Sequence, residues 1–395
     1  MEPELQPTLP EAPAVVPAPE SALEIVREPT LAPEAFAQLK EPWETRAIRW
    51  TLFGGQGLRA GWSVLAFVLI SGLLAAAVGF VFIKLHLVDL GKKVEFTASA
   101  AFFEELTNFL PLLGAASLMA LIERRRSLLA YNLIGPRSVP HFLSGLAAGF
   151  VLLSALVGAL AWGGWLHFGP VALSGAQIYK FALMWGAVFL LVGCFEEGFF
   201  RCYLLFTLTR GINFWWALGT VGAACAWLVV RSKGNGVWGV YVIALLGLLP
   251  CLWLHLKKAE GAGFWQATWV TSTIFGFIHT TNDGENWIGI FAAALVGVVF
   301  CVSIRVTGSA WWAIGCHASW DWAQTYFYGT ADSGMVATGH YMTCAPTGNI
   351  FWSGGTDGPE GSVLVIGVLL LMLAALLVLY GRRKPVLSTL DRAIG

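Results

Sequence analysis

The chain has 395 residues, of which 57% are hydrophobic and only 12% are charged, and its basic and acidic residues balance to a formal net charge of 0. Soluble domains carry about 25% charged residues, so this composition excludes an ordinary soluble protein and predicts an integral membrane protein. The neutral balance gives no reason to expect nucleic acid as a partner, and the Cys residues, none in a C-x-x-C pair, form neither a zinc ribbon nor a disulfide framework.

The N-terminal segment, residues 1–45, is rich in Pro, Ala and Glu, as in "PEAPAVVPAPE". It lacks the basic n-region and short apolar core of a signal peptide. Such a composition cannot bury a hydrophobic core, so we predict a disordered tail.

Ten apolar segments follow, and most are long enough for a transmembrane helix of about 20 residues. The sequence therefore predicts an all-α polytopic transmembrane bundle of about eight to ten spans. The predicted regions are N-terminal transmembrane helices at 60–170, a helical core at 181–327, an extracytoplasmic loop at 328–361, and a last helix with a short basic tail at 362–395. The segments are Trp62–Ile83, Ala98–Ile122, Phe142–Trp165, Phe181–Leu208, Phe214–Val230, Val237–Leu256, Phe264–His279, Trp287–Ile304, Ala310–Phe327 and Val363–Tyr380. Phe264–His279 and Ala310–Phe327 are short and carry polar groups, so we expect them to be buried among the other helices.

Basic residues predict the orientation, because Lys and Arg are enriched in cytoplasmic loops. Placing the N-terminus in the cytoplasm puts most basic clusters inside, including Arg124–Arg126 and Arg382–Lys384. The long loop Tyr328–Ser362 has no Lys or Arg and falls outside. We expect both termini to be cytoplasmic, in the inner membrane of a bacterium.

The stretch "CFEEGFFR" places Glu196, Glu197 and Arg201 within an apolar span. Each ionisable residue there costs at least about 2.5–3.5 kcal/mol on insertion scales and indicates function. Glu197 and Arg201 are four residues apart and share a helix face, so we expect them to pair and to be otherwise largely silent. Glu196 lies about 100° around the helix and remains the free carboxylate, suited to activating water. A structural ion pair alone would need only one of the two glutamates.

Three further polar positions lie in the later apolar segments. His279 ends "STIFGFIH", while His317 and Asp321 lie four residues apart in "CHASWDW" and share a helix face. In contrast, Glu104 and Glu105 in "FFEEL" have no Arg at the matching spacing. We expect those two glutamates to be solvated near the outer end of their span.

In order, these residues resemble the motifs of the CPBP (ABI) family of intramembrane proteases, which includes the type II CAAX prenyl proteases. The family pattern E-E-x-x-x-R, F-x-x-x-H and H-x-x-x-N/D reads here as Glu196 to Arg201, Phe275 to His279 and His317 to Asp321. The resemblance covers about residues 181–327. It implies a helical membrane fold with a polar, water-filled intramembrane cavity.

The resemblance also implies a role for each residue. Glu196 with His279 would activate the hydrolytic water, His317 and Asp321 would face the substrate carbonyl, and Glu197 with Arg201 would hold the site. Asp321 stands where the eukaryotic enzymes have Asn, and an ionised Asp cannot donate a hydrogen bond to an oxyanion. Asp321 is therefore protonated, or orients His317, or binds a metal. In the metal alternative, Glu196, His279, His317 and Asp321 would be ligands for a divalent ion such as zinc, while the other alternative is a glutamate mechanism without metal.

The predicted function is an intramembrane endopeptidase whose partners are the lipid bilayer and a membrane-anchored peptide or protein. Two other hypotheses stay open at this point. Intramembrane Glu, His and Arg also build proton relays in carriers, but we find no repeat symmetry of the kind that carriers show. The third hypothesis is a catalytically inactive relative that binds another membrane protein, as in immunity functions.

Overall fold

The computed structural model describes residues 42–54, 57–88, 96–125, 127–232, 237–282 and 284–381. Most of the predicted disordered tail lies outside these residues. The chain divides into two compact units, Met1–Thr51 and Leu52–Gly395. Helix α1, Trp43–Leu52, covers the described part of the first unit, and everything below concerns the second.

The second unit is a bundle of helices with very little sheet in its described residues. Its longer helices are α2 (Ala60–Lys84), α3 (Ala98–Ile122), α4 (Ser138–Trp162), α5 (Ala176–Glu197), α6 (Leu205–Gly211), α7 (Phe214–Ser232), α8 (Trp238–Leu256), α9 (Ala262–His279), α10 (Trp287–Thr307) and α11 (Trp311–Trp322). The short helix α12 (Ile350–Ser353) and the apolar helix α13 (Leu364–Tyr380) complete the series. The prediction of an all-α polytopic bundle is confirmed.

Seven of the described helical segments are long and apolar enough to cross a membrane. They are α2, α3, α4, the segment Ala176–Gly211, α7, α8 and α10, and α13 is a shorter apolar helix. Most side chains of α9 and of α11 are buried among the other helices, as their polar content suggested. The helices that carry His279, His317 and Asp321 are therefore enclosed by the longer apolar helices.

Helices α4 and α11 are in direct backbone contact through glycines. A Cβ atom at Gly145 would collide with the carbonyl oxygen of Trp312, and one at Gly149 with that of Cys316. Gly315 of α11 approaches the carbonyl oxygen of Phe142 in the same way. Small residues four apart allow such close approach between membrane helices. This glycine contact fixes α11 against α4.

Two small sheets complete the described fold. Strands β1 (Phe53–Gly54) and β2 (Gly57–Leu58) form a hairpin before α2. Strand β3 (Leu166–Phe168) pairs antiparallel with β4 (Cys344–Pro346), with Leu166 opposite Pro346. The second pairing ties the predicted extracytoplasmic loop 328–361 to the turn that follows α4, and so holds this loop at one end of the bundle.

Candidate active site

A π-helical segment follows the Glu196–Glu197 pair, and another follows Asp321 closely. Helix α5 ends at Glu197 and continues as the π-helix Gly198–Leu204, while α11 is followed by the π-helix Ala323–Phe327. A π-helix closes its hydrogen bonds over five residues instead of four, and such segments occur frequently at functional sites. Each turn shifts the face that the following residues present.

Glu197 and Arg201 form the ion pair expected from their spacing. The Nη1 atom of Arg201 lies 3.3 Å from the Oε1 atom of Glu197, and the two side chains are only 1% and 0% exposed. The guanidinium also lies 4.1 Å from the ring centroid of Phe275 on α9, a cation–π contact. The pair therefore joins the end of α5 to α9 inside the protein.

His317 joins that pair to the other carboxylates. Its Nδ1 atom lies 2.9 Å from Oε1 of Glu197, and since a carboxylate can only accept, Nδ1 carries the proton. On the opposite side of the ring, Nε2 lies 3.4 Å from Oδ2 of Asp321 and 3.7 Å from Oε2 of Glu196. Glu197 thus contacts His317 as well as Arg201, a second partner that its spacing in the sequence does not predict.

His279 occupies the last position of α9, and its ring lies back against the preceding turn of its own helix. Its Nδ1 atom lies 2.7 Å from the carbonyl oxygen of Phe275. A carbonyl can only accept, so the neutral ring carries its proton on Nδ1 and leaves Nε2 as an acceptor. Phe275 therefore contacts Arg201 with its ring and orients His279 with its backbone.

These side chains meet at a cavity of about 290 Å³. Glu196, His279, His317 and Asp321 all line it, while Glu197 and Arg201 lie behind its wall. Glu196 lies in the middle of a long helical span, whereas His279 lies at the end of a helix. Both reach the same cavity because α9 ends beside it. The structure brings together residues from α5, α9 and α11 that are up to 125 positions apart, from Glu196 to Asp321.

The same cavity has acidic residues that the motifs did not predict. They are Glu104, Glu105, Glu285, Asp332 and Glu360. The Oε1 atom of Glu360 accepts a 2.6 Å hydrogen bond from Nε1 of Trp320, next to Asp321 in the chain. Glu104 is exposed as expected, whereas Glu105 is partly buried and lines the same cavity as Glu196. No spacing in the sequence links these five residues to the motifs; only the fold does.

Three of the acidic groups near the cavity mouth lie outside the helices that cross the membrane. Burial, followed by the nearby carboxylates of Asp357 and Glu360, raises the pKa of Glu285 to about 9. Burial and the neighbouring Asp332 raise the pKa of Glu360 to about 8. Burial likewise raises the pKa of Asp357 to about 7. These carboxyl groups therefore gain protons at a pH where exposed carboxyl groups are ionised.

The four candidate metal ligands do not form a metal centre. Within the described residues, no group of three or more His, Cys, Asp or Glu side chains is arranged to hold a metal ion. The Nε2 atom of His317 is itself directed at the carboxylates of Asp321 and Glu196, which uses the atom that a metal would need.

One comparison with known proteins gives a match. Residues 251–323 match a family model described as "Rce1-like: Type II CAAX prenyl endopeptidase Rce1-like". Neither the curated proteins nor the solved structures gave a match. The matched residues include His279, His317 and Asp321, whereas Glu196, Glu197 and Arg201 lie before them. Over residues 251–323, this match agrees with the resemblance to the CAAX proteases that the sequence motifs indicated.

Proposed function

We propose that this chain is an intramembrane endopeptidase that hydrolyses a peptide bond of a membrane-associated substrate by a glutamate mechanism. The observation that carries the proposal is the position of His317, whose Nδ1 is bonded to the buried Glu197 while its Nε2 faces Glu196 and Asp321 at the cavity. The match to CAAX-type endopeptidases supports the reaction class.

In the first step, Glu196 accepts a proton from a water molecule in the cavity. Its side chain is 23% exposed, so water reaches the carboxylate, which is placed to act as a general base. The acceptor Nε2 of His279 holds the same water on its second hydrogen. The water oxygen then bonds to the carbonyl carbon of the substrate.

The carbonyl oxygen gains negative charge as this bond forms. His317 stabilises it as the doubly protonated imidazolium, with Nδ1 donating to Glu197 and Nε2 donating to the carbonyl oxygen, because fixed donors stabilise developing charge more than water does. Asp321 orients the imidazole from 3.4 Å, and Glu197 fixes its other nitrogen. When the tetrahedral intermediate collapses, the carbon–nitrogen bond breaks and the proton taken up by Glu196 passes to the leaving amine. The products are a new carboxylate and a new amino group.

Arg201 has a positioning role in this scheme. It contacts neither the water nor the substrate, since it is buried behind the cavity wall. By holding Glu197 at 3.3 Å it sets the acceptor to which His317 is bonded. The proposed partners are the lipid bilayer and a membrane-anchored peptide or protein, and the proposed location is the inner membrane of a bacterium.

The test is hydrolysis of a peptide library by purified protein in detergent. Glu196→Gln keeps the shape of the side chain but removes the base, so we expect turnover to fall by at least about a hundredfold, the typical contribution of general base catalysis, with thermal stability unchanged. Glu260→Gln, at an exposed residue before α9, is the matched control and should retain turnover. Turnover of the wild-type level in Glu196→Gln would remove this residue from the mechanism, and no hydrolysis by the wild type would leave a carrier or a binding protein.

A further inference from the structure

The two ends of the second unit carry opposite charge in the described part of the chain. One end, here called the basic end, contains eight Lys or Arg residues: Arg59, Arg124, Arg125, Arg137, Arg210, Lys257, Lys258 and Arg305. The other end, here called the acidic end, contains three, Lys84, Lys180 and Arg231, together with Glu104, Glu105, Glu285, Asp332, Asp357 and Glu360.

Direct contacts place the basic residues at one end. Arg210, in the last turn of α6, lies 3.5 Å from Glu123, which follows α3, and Glu123 also pairs with Arg125. A Cβ atom at Gly261, between α8 and α9, would lie 3.5 Å from the guanidinium of Arg305 at the end of α10. The ends of α3, α6, α8 and α10 therefore lie together with the start of α9.

Contacts of the long loop define the opposite end in the same way. The backbone nitrogen of Thr338 donates to the carbonyl oxygen of Phe96, before α3, at 2.9 Å. Thr347 donates to Trp165, after α4, at 2.8 Å. Asn286, at the start of α10, donates from Nδ2 to Gly361 at 3.1 Å. The loop 328–361 thus covers the acidic end.

The cavity belongs to the acidic end. Its lining includes Glu104 and Glu105 from the beginning of α3, His279 from the end of α9, and Asp332 and Met335 from the loop. Met335 is also 48% exposed at the surface, so the cavity wall continues there to the outside of the protein. Within the described residues, the lining contains no Lys or Arg.

Because Lys and Arg near the ends of spans are retained on the cytoplasmic side, the basic end faces the cytoplasm. We propose that the active-site cavity opens on the extracytoplasmic side of the membrane, and that its substrate is a peptide segment presented on that side. This inference rests on the proposed function for its substrate, whereas the orientation of the cavity stands on the contacts and charges alone.

Cysteine labelling in intact cells tests the orientation. Met335→Cys is compared with Lys257→Cys, an exposed residue at the basic end, and both with the wild type, whose seven native cysteines give the background. With a membrane-impermeant maleimide, we expect Met335→Cys to be labelled in intact, right-side-out spheroplasts and Lys257→Cys only after permeabilisation. Val336→Cys, at a residue 56% exposed, is the second reporter if Met335→Cys fails to fold. Labelling of the loop cysteine only after permeabilisation overturns the proposal.

The same spheroplasts test access of the substrate. A water-soluble, quenched fluorescent peptide library added outside should be hydrolysed without permeabilisation, and Glu196→Gln should abolish the signal. Hydrolysis that appears only after permeabilisation overturns the proposal while leaving the proposed function in place. Correct labelling with no hydrolysis under either condition overturns the proposed function and leaves the orientation of the cavity in place.

Discussion

Replacing Arg201 by Ala is the sharpest test of the buried ion pair. The substitution leaves the carboxylate of Glu197, which is 0% exposed, without its guanidinium partner. Removing one member of a buried pair costs about 3–5 kcal/mol because the other charge remains out of water. The contact with Phe275 at 4.1 Å is lost as well, and a desolvated cation–π contact contributes about 2 kcal/mol.

The expected loss of folding free energy is therefore about 4–6 kcal/mol, since His317 still bonds Glu197 and offsets part of the sum. Unfolding entropy is about 2.1 cal/mol/K per residue, so in a unit of this size each kcal/mol lowers Tm by roughly 1.5 °C. We expect Tm to fall by about 6–9 °C on that scale, together with the yield of monodisperse protein.

The assay is thermal unfolding of purified protein in one detergent, with two further variants. Arg210 is 16% exposed and pairs with Glu123, which also has Arg125 beside it. Arg210→Ala therefore removes only one of the two cations near Glu123. A partly exposed pair contributes about 0–1 kcal/mol, so Tm should change by less than about 2 °C. Arg201→Lys keeps the charge and should fall between the two. An Arg201→Ala protein as stable as Arg210→Ala would refute the reasoning that the Glu197–Arg201 pair is structural.

The remaining predictions concern the mechanism, the loop and the substrate. Asp321→Asn should retain hydrolysis within about tenfold, because orientation of His317 needs a polar group more than a charge; stoichiometric zinc in the wild type, lost together with activity in this variant, would contradict it. The pKa of Glu285 is raised from 4.5 to about 9, so the folded protein binds a proton that the unfolded chain has released, and stability falls as pH rises through that interval. Glu285→Gln should consequently raise Tm at pH 9 and leave it unchanged near pH 4.5, and an equal shift at both pH values would contradict this cause. Peptides with Lys or Arg should have a lower KM than matched peptides with Asp or Glu, since the described cavity lining contains several acidic residues and no Lys or Arg. The difference should grow as pH rises through the raised pKa values of Glu360 and Glu285, about 8 and about 9; equal KM values at high pH would show that these carboxylates do not meet the substrate.

The sequence was sufficient to predict the membrane fold and the helices that carry the motifs. The thickness of the bilayer sets how long an apolar helix must be to cross it. The predicted helix Ala98–Ile122 accordingly has the same bounds in the structure, and the predicted Trp62–Ile83 is observed as Ala60–Lys84. The pairing of Glu197 with Arg201 follows from helix geometry alone. These are local properties of the chain, and a local pattern can reveal them.

The rest depends on contacts between distant segments. Nothing near Glu105 in the sequence indicates that it lines the same cavity as Glu196, because that placement depends on how α3 packs beside α5. The hydrogen bond from His317 to Glu197 joins residues 120 positions apart, and the π-helical turns depart from the regular periodicity used to assign faces. The acidic loop residue Glu360 reaches the site only because the fold returns the loop to it.

The glycine contact between α4 and α11 makes the α11 wall of the cavity more rigid than a wall formed by flexible side chains. The wall that carries His317 and Asp321 is pressed against the α4 backbone and cannot yield without a clash. Aliphatic side chains of α13, including Leu369 and Met372, also line the cavity, and an unbranched Met adapts readily to the shape of its neighbours. Under the proposed function, α13 would accommodate different residues beside the scissile bond while His317 and Asp321 keep their positions. Under that function, substitutions in α13 would retune selectivity at little cost to chemistry, whereas Gly149→Ala, which presses on the α11 backbone at Cys316 beside His317, would impair cleavage of every substrate.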